Sequence, residues 1–323
     1  MNFNQIKEKV IQYDLIIIER HANPDGDAMG SQLGLKAILK ENYPKKKIYA
    51  VGDTSERFDF MGKTDEIDIE LYKKALVFVL DTSTDEMLLN DNYKKAKFSI
   101  KIDHHNTVSD YCVLNYTDTS FESCAGIIAQ IALDLDWKLN KEAATHLFTG
   151  IVTDSGRFRY DKTTARTFDI VSKLMEYDID IDNVYSNLYQ ESLDSVKLRA
   201  KLTNKFKVSK HKVAYLKVTK KDVEAYGLMP HNIARGYVNI MANIKEIEVW
   251  AMFVEDAENN QILCEFRSSK HNINQIAVKY GGGGHLLASG AKVASFEVCR
   301  EIIKDLNKLV AGSKKWRKQE TKF

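Results

Sequence analysis

Along the first hundred positions, apolar residues come in short unbroken runs rather than in alternation. Leu15-Ile16-Ile17-Ile18, Lys47-Ile48-Tyr49-Ala50-Val51, Ala75-Leu76-Val77-Phe78-Val79-Leu80 and the shorter Ile100-Lys101-Ile102 predict strands buried on both faces, as in a parallel sheet. Between them the spacing turns helical: Met29, Leu33 and Ala37 recur beside Leu35, Ile38 and Leu39. Ser123 to Leu135 and Lys141 to Ile151 read as consecutive helices, and Ala165, Phe168, Val171, Leu174 and Met175 mark another. From Asp178 to Asn204 the pattern is mixed, with Tyr185, Leu188, Tyr189 and Leu193 suggesting a partly helical linker. A β-rich stretch then opens with Val213 to Val218. It continues through Ile247 to Val254 and returns from the turn Glu258-Asn259-Asn260 along Gln261 to Ser268 as a hairpin. A short helix from Ile273 to Tyr280 follows. The expected class is α/β: an N-terminal parallel-sheet domain at 1–185, a helical linker at 186–205, a smaller α/β substrate-binding domain at 206–312 and a basic tail at 313–323, with a cleft between the domains.

The polar residues that follow the strands carry the chemistry. His21-Ala22-Asn23-Pro24-Asp25-Gly26-Asp27 leaves the first strand, Asp81-Thr82-Ser83 the third, and Asp103-His104-His105-Asn106 the fourth. Ligand-type side chains are thus expected at the carboxyl edge of the sheet, where open α/β sheets place their sites. Pro24 and Gly26 predict a tight turn, with a helix starting near Ala28. Clustered carboxylates repel one another, and a divalent cation removes that cost while accepting imidazole nitrogen and carboxylate oxygen. The alternative is a solvated turn whose Asp residues cap the helix. Asp154 stands where a long buried helix ends, beside Gly156, and is read as a further ligand. Asp103 is suited to orient a neighbouring His ring.

Composition narrows the field. The 323 residues suffice for two domains, and 44% hydrophobic with 28% charged residues is the balance of a soluble globular protein. A net charge of +2 gives no global attraction for nucleic acid, so phosphate affinity must be local. Cys112, Cys124, Cys264 and Cys299 are scattered without a CxxC pair, which excludes a zinc ribbon and reads as reduced core thiols. Met1 to Tyr13 is charged throughout and no apolar run reaches spanning length, so a cytoplasmic protein without membrane contact is expected.

The run Gly281-Gly282-Gly283-Gly284-His285 is the second informative stretch. Backbone amides without Cβ atoms in the way can approach and cradle an anion, and Gly283 is expected to need positive φ. The alternative is a flexible linker. The C-terminal half has no further Asp/His cluster, which suits binding rather than catalysis.

These motifs together resemble the DHH phosphoesterase superfamily, named for the triplet standing here as Asp103-His104-His105. Four motifs in order carry the resemblance: His21-x-x-x-Asp25-x-Asp27, Asp81, the triplet, and Asp154. The DHH-associated C-terminal domain of that family carries GGGGH and an Arg-Ser pair, here Arg267-Ser268. Where Ala-Ala-Gly is common, this chain has Ala288-Ser289-Gly290. The resemblance implies two Mn²⁺ ions, with Mg²⁺ or Co²⁺ as substitutes. His21 and Asp25 would hold one, Asp27, His104 and Asp154 the other, and Asp81 would bridge. His105 would face the scissile phosphate, with Asp103 as its catalytic partner. Arg267, Ser268, Gly281, Gly282, Gly283, Gly284 and His285 would bind substrate. Four carboxylates and two imidazoles suit two ions about 3.5–4 Å apart that activate a water for phosphate attack.

Within the superfamily the chain most resembles bacterial nanoRNases that also dephosphorylate adenosine 3′,5′-bisphosphate (pAp). Short single-stranded RNA with a free end and small nucleotides such as pApA are the implied substrates, and a homodimer is among the allowed assemblies. Cyclic di-AMP is an alternative substrate, and a non-catalytic nucleotide or RNA sensor is the alternative from another class. The glycine loop argues against the pyrophosphatases and exopolyphosphatases of the superfamily. The tail Lys314-Lys315-Trp316-Arg317-Lys318 is either a further RNA contact or a solvated end.

Overall fold

The computed structural model describes residues 3–53, 55–106 and 109–320, with side chains up to position 312. Residues 321–323, and the side chains of the basic stretch from 313 onward, lie outside the described residues. The chain forms two compact units, Met1–Gln190 and Glu191–Phe323.

The first unit runs α1 (Asn4–Gln12), β1 (Leu15–Arg20), α2 (Gly26–Asn42), β2 (Lys47–Ala50), β3 (Leu76–Leu80), β4 (Phe98–Asp103), β5 (Leu114–Thr117), α3 (Cys124–Asp134), α4 (Lys141–Asp154), α5 (Ala165–Met175) and α6 (Ile181–Tyr189). Among the described residues its five strands are parallel, in the order β2-β1-β3-β4-β5. The order reverses between β1 and β3, so a crevice opens beyond their carboxyl ends. Ile16, Ile18, Phe78, Leu80, Ile100 and Ile102 face one core together with the long helices. Ile17, Val77 and Val79 face a smaller one, closed by Tyr72, Leu88 and Tyr93 from short 3₁₀ turns and loops. Burial on both faces explains why these strands are continuous apolar runs. The half-exposed edge strand β5 has no such run, and α1 shows only Ile6 and Val10 to the core, so neither stands out in the sequence.

Helix α2 is buried without a break from Gly26 to Leu35 because it lies against α4 as well as the sheet. The two helices meet backbone to backbone: a Cβ on Gly30 would lie 2.6 Å from the His146 carbonyl oxygen and 2.9 Å from the Gly150 Cα. This approach brings the first turn of α2, which carries Asp27, to the last turn of α4, which carries Asp154.

The second unit contains α7 (Leu193–Lys205), β6 (Lys207–Val208), β7 (Val213–Val218), α8 (Lys220–Tyr226), α9 (Pro230–Tyr237), β8 (Val249–Asp256), β9 (Gln261–Ser268), α10 (Asn274–Lys279), β10 (Gly283–Gly284), β11 (Ala288–Val293) and α11 (Phe296–Glu320). Among the described residues the six strands run β10-β11-β9-β8-β7-β6, with only β7 and β8 parallel. Ile262, Cys264 and Phe266 pack with Cys299, Ile302 and Leu306 on one face. Leu216, Met252 and Val254 pack with Leu202 and Ile233 on the other. The helical stretch read from sequence as a linker divides at Gln190, α6 packing into the first unit and α7 into the second. The four cysteines are free, and among the described residues no helix is long and apolar enough to cross a membrane.

Candidate functional site

The carboxyl ends of β1, β3 and β4 lie side by side, and their loops deliver His21, Asp81 and His104 to one point. Asp81 is central. It adopts φ +50, a left-handed conformation uncommon for residues with a Cβ, and is buried. Its carboxylate lies 3.6 Å from His21 Nε2, 3.4 Å from His104 Nε2 and 3.7 Å from His105 Nδ1. Its Oδ1 is buried without a hydrogen-bond partner, an acceptor turned into the cluster with nothing bound to it among the described residues.

Helices supply the rest. Asp25 is the N-cap of α2: its Oδ1 accepts from the Asp27 and Ala28 amides at 3.0 Å each and lies 3.9 Å from His21 Nε2. It therefore caps the helix and joins the cluster at once. The helix begins at Gly26, two residues before the expected start, and the positive φ of the preceding turn falls on Asn23 rather than Gly26. Asp27 accepts from the Cys124 and Ala125 amides at 2.6 and 2.8 Å, the first two of α3, and lies 3.7 Å from His104 Nε2. Nothing in the Asp27 motif announces that helix-end support; Ser123, which caps α3, was its nearest signal. Asp154 closes the ring 3.4 Å from His104 Nε2. His21 Nδ1 is committed to the Ala22 carbonyl at 2.8 Å, which leaves Nε2 for the cluster.

Among the described residues three groups could each hold a metal ion, the ligand atoms within each group all lying within 4.8 Å of one another: His21, Asp25 and Asp81; Asp27, His104 and Asp154; and Asp81, His104 and His105. The charges explain why a cation fits. Burial first, then the Asp81 charge, pushes Asp27 well above the carboxylate range. Burial, with the charges of Asp81 and Asp25, carries Asp154 to about 6 against the pull of His104. Burial disfavours charged rings at His21 and His104, yet the surrounding carboxylates outweigh it and raise both to about 10. The cluster thus holds protons against its own repulsion, and divalent ions can take their place. An orphaned Asp81 oxygen and a donor set of carboxylate oxygens and imidazole nitrogens fit a divalent metal ion.

His105 is half-exposed, and its Nδ1 meets Asp103 Oδ1 at 2.7 Å. Burial raises Asp103, but the His105 bond and the nearby Lys101 charge hold it below its ordinary range.

The second unit carries a cavity of about 870 Å³. Alternate residues of β9, among them Glu265 and Arg267, line it together with Gly281–Gly284, His285 and Arg235 of α9. Arg267 Nη1 donates to Glu265 Oε2 at 2.9 Å and to the Phe266 carbonyl at 2.8 Å, while Arg235 Nε lies 3.6 Å from Glu265 Oε1. Neither Arg235 nor Glu265 was marked by sequence reasoning. Ser268 does not line the cavity: its buried Oγ donates to the Glu248 carbonyl and accepts from the Lys270 and His271 amides.

The glycine run differs from an open cradle. Its Gly281, Gly282 and His285 amides already donate to the Val278, Ala277 and Ala288 carbonyls. Positive φ falls at Gly281 and Gly284, not Gly283, where a Cβ would meet open space. The absence of side chains is needed where β10 meets β11: a Cβ on Gly282 would lie 2.0 Å from the Gly290 carbonyl oxygen, and one on Gly284 2.7 Å from that of Ala288.

Residues 15–151 match the N-terminal domain of the DHH family, and residues 210–312 match the DHHA1 domain. The chain is 38% identical over 300 residues to the bifunctional oligoribonuclease and PAP phosphatase NrnA of Bacillus subtilis, covering 92% of this chain and 95% of that protein. It is 34% identical over 308 residues to the probable bifunctional oligoribonuclease and PAP phosphatase NrnA of Streptococcus mutans, covering 95% and 99%. A crystal structure of an exopolyphosphatase-related protein from Bacteroides fragilis superposes with a TM-score of 0.83 at 24% identity, covering 96% of this chain and 97% of that one, which shows the shared fold.

Proposed function

Since the chain belongs to the DHH family and carries a DHHA1 domain, we propose that it is a metal-dependent phosphoesterase that hydrolyses short oligoribonucleotides to mononucleotides and dephosphorylates pAp. The observation that carries this reading is the gathering of three further carboxylates and two imidazoles around Asp81. Both activities are phosphoester hydrolyses on small nucleotides, and the printed names of the Bacillus subtilis and Streptococcus mutans relatives join the two.

In this reading His21 and Asp25 would hold one Mn²⁺ and Asp27, His104 and Asp154 a second, with Asp81 shared between them. Divalent ions held there would supply a water of lowered pKa and a positive charge for the phosphate oxygens. The α3 amides keep both Asp27 oxygens in place. His105, anchored at Nδ1 by Asp103, keeps Nε2 for a phosphate oxygen. In the second unit Arg267, with His285 and the glycine loop, holds a terminal phosphate, Arg being suited to bidentate capture. That contact requires a chain end, which makes the enzyme terminus-dependent.

Purified protein with Mn²⁺ is to be assayed on pAp, pApA, cyclic di-AMP, linear RNAs of increasing length and a circular RNA. Turnover of pAp and the shortest RNAs, falling with length, is expected. Binding of these molecules without turnover in any metal tried makes the protein a sensor instead, and cleavage of the circle removes the terminus requirement.

A further inference from the structure

Lys101 lies at the centre of β4 between Ile100 and Ile102, and its side chain is wholly buried. An ammonium there loses its hydration, a cost of several kcal/mol unless the charge is paired and its donors are taken. Nζ donates to the Ser83 carbonyl at 2.9 Å and to the Ser109 carbonyl at 3.0 Å, and lies 5.0 Å over the Tyr111 ring. Tyr111 in turn donates to the Thr82 carbonyl at 2.7 Å. The fourth contact is with Asp103 Oδ2 at 3.2 Å, a charge pair rather than an aligned hydrogen bond. The other Asp103 oxygen receives His105 Nδ1 at 2.7 Å. Asp103 is thus pinned from both sides, by a cation on one oxygen and the imidazole on the other. Ser83, which gives Lys101 its first carbonyl, stands two residues after Asp81 on the loop leaving β3.

A core position between two isoleucines is filled as well by Met or Leu, which carry no desolvation cost. What an apolar side chain cannot do is hold a carboxylate and two loop carbonyls at once. We propose that Lys101 is a positioning residue for phosphoester hydrolysis: through Asp103 it fixes the His105 ring, and through Ser83 it steadies the loop that carries Asp81. The proposal rests on the reading of His105 as the residue that faces the scissile phosphate.

The test compares Lys101→Met, Lys101→Gln, His105→Ala and the double variant Lys101→Met/His105→Ala, with kcat, KM, metal content and Tm measured on each. Lys101→Gln removes the charge and keeps an N–H₂ donor, one bond shorter and with an acceptor oxygen beside it. Both Lys101 variants are expected to bind wild-type amounts of metal and to keep KM while kcat falls about 10- to 100-fold, the range for partners that orient a site group. In the His105→Ala background the further fall is expected to shrink to the part carried through Ser83, because the route through Asp103 acts on that ring. Wild-type kcat in either folded Lys101 variant overturns the proposal, as does an undiminished effect in the double variant. Failure of both variants to fold assigns the ammonium to architecture alone and also overturns it. Wild-type rates in His105→Ala itself would instead remove the reading beneath it.

Discussion

The two units treat charge in opposite ways. In the first, four carboxylates are brought together at one crevice, Asp27 and Asp81 buried and Asp25 at its exposed rim, and burial with mutual repulsion drives Asp27 and Asp154 upward. In the second, carboxylates are matched to cations: Glu265 lies between Arg235 and Arg267, and Asp305 accepts from Lys279, Lys308 and Tyr280. An assembly of like charges held by a rigid fold is a site waiting for the opposite charge, whereas a matched pair is stable as it stands and opens only to a competitor. The first unit is accordingly suited to a cation, and on the proposed function the second takes an anion in the place that Glu265 now holds.

That contrast predicts effects of different size. Asp81→Ala removes the carboxylate shared by two of the three metal-ligand groups, and hydrolysis is expected to fall to background in excess Mn²⁺. Turnover within about tenfold of wild type, a barrier change of only about 1.4 kcal/mol, would show that the crowding in the first unit serves no cation. In the second unit, substitutions on the two sides of one ion pair should act in opposite directions. Arg267→Ala loses a charge-assisted phosphate contact worth roughly 1.5–3 kcal/mol, so kcat/KM on pAp and short RNA is expected to fall about 10- to 150-fold with metal affinity unchanged. Glu265→Gln frees the same guanidinium and is expected to lower KM about two- to fivefold, the scale of a partly exposed pair. A rise in KM for Glu265→Gln would mean that the carboxylate orients Arg267 instead of occupying its fork.

The smallest effect is on stability. Burial tends to raise Asp305, but its bonds to Lys279, Lys308 and Tyr280 prevail and hold it down to about 2. A carboxyl depressed on folding stabilises the protein above its unfolded pKa of about 3.9, and that contribution disappears as pH falls through about 2. Asp305→Asn is therefore expected to lower the free energy of unfolding near neutral pH by no more than about 1 kcal/mol after screening by solvent, with the gap closing between about pH 4 and pH 2. An equal gap at both ends of that range would show that the side chain is not charge-matched.

Much of the first unit was legible because its physics is local. Buried parallel strands have to be apolar throughout, so Ile16–Ile18 and Leu76–Leu80 were visible, and the polar residues after them had to stand at the carboxyl edge. Contacts between distant segments were not legible. Asp27 meets the α3 amides across almost a hundred residues of chain, and Gly30 meets Gly150 across more. The glycine run was visible as an anomaly, but its reason was not: sequence suggested free amides, whereas several are committed to α10 and β11. Helix α8 went unseen because it has few apolar residues, although Thr219 and Asp222 form a capping box that could have marked it. Lys101 between two isoleucines was a similar signal, a charge where packing alone has no use for one.

The backbone contact between Gly30 and Gly150 acts as a gauge. Side chains can rotate and adapt to a neighbour, but two main chains in contact have one separation, and here it sets the span between the helix ends that carry Asp27 and Asp154. The width offered to a cation is therefore inherited from a helix crossing rather than tuned at the ligands. A single methyl group on Gly30, 2.6 Å from the His146 carbonyl oxygen, is enough to force the crossing apart.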